Sequence, residues 1–165
     1  MGPPETSSLN QMEASKIGRL MSQAGSSRKW GTATSEDTTG GHTVIFRYVQ
    51  DTVQDATRLS QPMLFRLVWR YESDTGMPTI EARERMDELE DALALALEAD
   101  GFASLVLVST GERRREWTYY AGPNEDFMSR LNRGLSSHPR FPIEIFISEE
   151  PDWETLNDFK RRVAS

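Results

Sequence analysis

Cysteine is absent from the sequence. That excludes disulfides, thiolate zinc sites and cysteine nucleophiles together, and it fits a reducing, cytoplasmic setting. Histidine is nearly absent. His42 and His138 are the 2 present, and neither has a partner at metal-ligand spacing, so no metal site and no cofactor is predicted. Positive charge is also short, with 19 Lys and Arg against 26 Asp and Glu and a net charge of −7. Such a chain repels phosphate backbones and anionic bilayers, which argues against nucleic acid and membrane surfaces as partners. No apolar run approaches the roughly 20 residues of a membrane span. The first residues lack the charged head and apolar stretch of a signal peptide. Gly2 and Thr6 fit the loose N-myristoylation pattern, which beside Pro3 reads as a chance match. There is no Gly-x-Ser-x-Gly elbow, and the glycine turns near Gly40 and Gly111 lack phosphate-loop spacing. No catalytic residue is assigned.

What is present divides the chain near residue 29. Residues 1–28 are rich in Ser, Gln, Gly and Pro and read as a disordered tail, with a weak helical spacing at Met12, Lys16, Ile17, Leu20 and Met21. Residues 29–165 read as a single α+β domain. It opens with a β-hairpin, Lys29–Ser35 and His42–Gln50, turning through Glu36–Gly41. Alternation puts Val44, Phe46 and Tyr48 on one side. Asp51–Gln61 is polar and predicts a loop.

From Pro62 the apolar periodicity spells strand, helix, strand, strand, helix, strand. Met63, Phe65, Leu67, Trp69 and Tyr71 alternate with Leu64, Arg66, Val68 and Arg70 over 62–72. A helix over 79–100 carries the stripe Met86, Leu89, Leu93, Ala96 and Leu97, with Thr79 as its cap and Gly101 at its end. Its many acids, among them Glu90 and Glu98, read as mostly a solvated face. Strand 102–110 follows, and its Leu105, Val106, Leu107 and Val108 are apolar on both parities, the mark of a central strand covered on two sides. Strand 115–120, helix 123–136 and strand 143–148 follow, and Trp153, Leu156 and Phe159 make the apolar face of a closing helix. This order predicts a ferredoxin-like split βαβ sandwich (βαββαβ), with the hairpin added at a sheet edge or over its open face.

Candidate sites are few. Arg113, Arg114 and Arg115 are the one local excess of positive charge and would project together from a hairpin. Glu149, Glu150, Asp152 and Glu154 make an acidic patch at a helix start. Trp30, Tyr48, Tyr120 and Trp153 are candidate liners of a ligand site on the second face of the sheet. Only one of the pairs Trp117/Tyr119 and Thr118/Tyr120 can face that open side, and core packing suits Trp117 and Tyr119. Strand 115–120 is also a candidate edge for pairing with a second copy.

Ser109–Tyr120, with Arg115-Glu116-Trp117-Thr118-Tyr119-Tyr120 after Gly111, resembles a bacterial family known as domain of unknown function 695. The resemblance takes in Trp69, Tyr71 and Pro78, the helix with Phe127 and Leu131, the strand at Ile143 and the closing Pro151-Asp152-Trp153. The family commonly reads Asp-Pro-x-Trp there, where this chain has Glu150 before Pro151. The resemblance spans roughly residues 28–160. Some family members are joined to a module similar to the ribonuclease E regulator B, which implies a regulatory or protein-binding role; it implies no catalytic residues. The expectation is therefore a non-enzymatic module that binds a protein partner, such as a basic nuclease or toxin. The alternative is a small-ligand-binding module using the second face of the sheet.

Overall fold

The strand Met63–Arg70 shows how the sequence builds this fold. Phe65, Leu67 and Trp69 point into one core and Leu64 into another, so period two is buried on both sides. The computed structural model describes residues 28–36 and 42–164. The expected tail, apart from Arg28, and most of the first turn lie outside the described residues.

The elements are β1 (Trp30–Glu36), β2 (Thr43–Val49), α1 (Asp55–Ser60), β3 (Met63–Arg70), α2 (Ile80–Leu93), β4 (Ala103–Gly111), β5 (Arg114–Ala121), α3 (Asn124–Leu135), β6 (Ile143–Glu149) and α4 (Glu154–Ala164). They form an α+β fold around one six-stranded sheet of order β1-β2-β4-β5-β3-β6, every neighbouring pair antiparallel. The β1–β2 hairpin thus extends the sheet beside β4.

Two cores sit on its two faces. On the first, α2 and α3 cover β3, β4 and β5, with Phe65 stacked on Phe127 at 3.7 Å and Trp117 and Tyr119 fully buried. On the second, Trp153 and Leu156 cover Leu64, Val106 and Tyr120, while Phe159 of α4 meets Phe46 and Tyr48 at 5.0 and 5.2 Å. A bulge in β4 serves both. Leu105 pairs with Tyr119 and Leu107 with Thr118, leaving Val106 between them, so Val106 and Leu107 both reach the second core.

Four expectations need correction. Asp51–Gln61 contains α1, a short helix with no buried residue, so it has no apolar periodicity to betray it. Strand 115–120 is no edge, because β5 lies between β3 and β4. The long helix does not stay α-helical to its end. Thr79 caps it by accepting the Ala82 N–H at 3.1 Å, but a π-helical turn replaces the α pattern at Ala94–Glu98 before Gly101 ends it at φ +80°. Its acids are not all solvated. Glu90 is 6% exposed and accepts from the Trp117 indole at 3.0 Å and Arg47 at 2.6 Å. Glu90 stands four residues after Met86, on the side of the apolar stripe, where the packing of α2 on the sheet buries it.

Phe141 was not anticipated as core. It lies in a Pro-flanked loop, packs 6.0 Å from Trp69 and carries the Arg85 guanidinium 4.4 Å over its ring.

Candidate functional site

The β2–β4 ladder stops at Leu107. Beyond it the main chain of Leu105 finds side-chain partners. Its N–H donates to Glu98 Oε1 at 2.8 Å, and its carbonyl accepts from Arg28 Nη1 at 3.1 Å. Arg28 also donates to Ser104 Oγ and lies 3.8 Å from Glu98. The π-helical turn carries Glu98 to this position, and such turns recur at functional sites.

Burial raises the Glu98 carboxyl above its ordinary value of 4.5, against the pull of the Leu105 N–H and Arg28. Burial likewise lowers Arg28, against Glu98 and Asp51. A carboxyl raised on folding favours the native state below its unfolded value, and that gain is lost as pH rises through the folded value. Urea midpoints of the wild type should therefore fall more than those of Glu98→Gln as pH rises above the ordinary value of 4.5. Equal slopes would remove Glu98 as the cause.

Arg28 and Glu98 border a cleft of about 620 Å³ at the end of the sheet, closed by Asp51, Thr57 and Gln61. Gln61 is pinned from two directions. The Trp153 indole donates to its carbonyl at 2.9 Å, and its own amide nitrogen donates to the Gly101 carbonyl at 3.0 Å.

A second groove of about 440 Å³ opens on the second sheet face. Leu64, Leu107 and Phe46 line it together with Arg66 and Arg114. Arg66 is engaged by Glu116 at 3.0 Å, whereas the Arg114 guanidinium has no partner among the described residues.

The candidates read from the sequence are dispersed. Tyr120 and Trp153 stack on one another at 4.1 Å and are buried, and Tyr48 is buried against Phe159. Trp30 lies under Arg47 at 5.4 Å with its indole N–H buried and without a partner among the described residues. Arg113 and Arg114 are exposed at the β4–β5 turn. Arg115 does not project with them. It folds back over Trp117 at 5.9 Å and reaches Asp87 at 3.8 Å, because strand alternation turns it toward α2. Asp152 is exposed. Arg114 alone of these eight lines either cleft. Arg28, Gln61 and Glu98 were missed as a group because they are close only in space. Among the described residues, no three His, Cys, Asp or Glu side chains gather as a metal site, and no helix is long and apolar enough to cross a membrane.

A family model described as a family of unknown function (DUF695) matches residues 29–160. The chain belongs to this family. No curated protein matches it. The motif carrying the family resemblance has a physical role here. Glu150 accepts the Tyr120 hydroxyl at 2.5 Å and the Thr155 N–H at 2.6 Å, so it caps α4 and joins it to β5. Burial and that hydrogen bond hold the Tyr120 hydroxyl far above its ordinary range.

Proposed function

We propose that the chain is a protein-binding module that receives a partner's strand along the outer edge of β6. The sheet order also supports a ferredoxin-like reading. β4-β5-β3-β6, in chain order second, third, first, fourth, is that of a split βαβ unit, to which the hairpin is an addition.

The observation that carries the proposal is the β6 edge. Its 7 residues contain no Pro or Lys, no described strand pairs with its outer side, and Phe146 and Ile147 are 40% and 41% exposed. Edges are ordinarily blunted by charge, proline or cover, and an open one templates a further strand. Glu149 ends β6 and Glu150, Asp152 and Glu154 follow it, so a basic partner suits the electrostatics, as does the net charge of −7.

Phe146→Lys with Ile147→Lys tests this. Affinity capture should enrich a basic protein with the wild type at low salt, lose it at high salt, and lose it with the variant at low salt. Circular dichroism should show the variant folded. Retention of the partner by the folded variant would overturn β6 as the docking edge.

A further inference from the structure

We infer that the cleft at the end of the sheet is a binding site for a small organic ammonium ligand, held by Glu98 and Gln61. This inference is independent of strand docking, since β6 contributes no residue to the cleft.

The first observation is an orphaned acceptor. Gln61 is 2% exposed, and its Oε1 has no hydrogen-bond partner among the described residues. Its orientation is set by chemistry. The Gly101 carbonyl can only accept, so the amide nitrogen must face it and Oε1 must point the other way. A buried amide oxygen left unpaired is costly, and a donor reaching it from the cleft that Gln61 lines would relieve that cost.

The second observation is the charge. The ionisable lining is Glu98 and Asp51 against Arg28, and the Lys160 ammonium behind it donates to the Asp51 carbonyl at 2.7 Å. Arg28 spends hydrogen bonds on Leu105 and Ser104. Glu98 uses Oε1 on Leu105, while Oε2 has no partner among the described residues. Asp51 likewise accepts the Lys29 N–H through Oδ2 at 2.8 Å, leaving Oδ1 without a described partner. The carboxyl end of α2 and its π-helical turn adds carbonyl oxygens and the negative end of the helix dipole. The cleft is therefore rich in acceptors, and its volume of about 620 Å³ suits a small molecule. An ammonium presents three donors and a charge, whereas an anion would meet two carboxylates and a helix carboxyl end.

The test uses the full chain and 1,4-diaminobutane, with 1,4-butanediol as the neutral control. Titration to about 10 mM, followed by amide NMR shifts, should give saturable changes at the Gln61 side-chain amide, Gly101 and Leu105 for the diamine. Glu98→Gln retains an acceptor for the Leu105 N–H and should weaken binding about tenfold or more, as loss of a charge-assisted contact does. Asp51→Asn is the second variant, should Glu98→Gln fail to fold. Equal binding of the diol would overturn recognition of the ammonium. Absence of saturable shifts, or full affinity in folded Glu98→Gln or Asp51→Asn, would overturn the site.

Discussion

Trp153→Ala should lower the unfolding free energy by about 4 kcal/mol, within the usual range for a buried Trp cut to Ala. Trp153 is 1% exposed, and it ties together β5, α4 and the connection between α1 and β3. Its ring stacks on Tyr120 of β5 at 4.1 Å, its indole donates to Gln61 at 2.9 Å, and its carbonyl accepts the Asn157 N–H at 3.1 Å in the first turn of α4. Removing the ring leaves a cavity between sheet and helix and frees α4 from the second face. A control distinguishes packing from backbone. Trp153 has φ +55°, a left-handed conformation that costs an L-residue about 1–2 kcal/mol and that glycine adopts freely. Trp153→Gly should therefore be more stable than Trp153→Ala, the reverse of the usual helix-forming order. Urea unfolding of the two variants reads this directly, and a more stable Ala variant would refute the backbone part. Hydrogen exchange should quicken first along α4.

Gly111→Ala should cost about 3 kcal/mol, the sum of overpacking and backbone strain. Gly111 ends β4 at φ +149°. A Cβ there would lie 2.6 Å from the Thr43 carbonyl and 2.8 Å from Val44 Cα. Both are backbone atoms of β2, so no rotamer relieves the clash and β2 must move away from β4. The loss should be local. Amides of the β1–β2 hairpin should exchange faster, while those of β3 keep their protection. Gly101→Ala is the comparison. Its φ is +80°, yet a Cβ there meets nothing within 4 Å, so it carries the strain without the clash. It should cost about 1 kcal/mol. Equal losses in the two variants would show that contact with β2 is not what Gly111 provides.

Strong periodicity was legible wherever one residue type dominates one face. The alternation of β3, the double-sided run of β4, the stripe of α2 and the Trp153–Leu156 face each name an element and its buried side. Legibility ended where an element buries nothing or departs from its period. α1 has no buried residue, and the π-helical turn leaves the Met86–Leu97 stripe unbroken. The β4 bulge is hidden too, since Leu105, Val106, Leu107 and Val108 are all apolar whichever way they point.

The candidate site was the least legible part. Tyr120 and Trp153, candidate ligand liners in the sequence, lie on the second face and fill the space between sheet and helix with each other. Polar residues carry no periodic signal. Arg28, Asp51, Gln61 and Glu98 belong to four separate segments that meet only once the sheet is assembled.

The sequence by itself determined the order of the core elements, the two apolar faces and the family, because burial of alternating or striped apolar side chains is a local rule. Only the tertiary structure decided which strands are edges, which acids are buried, and where polar groups are left without partners. Those follow from strand order and helix placement, which bring residues far apart in the chain into the same few ångströms and remove the water between them.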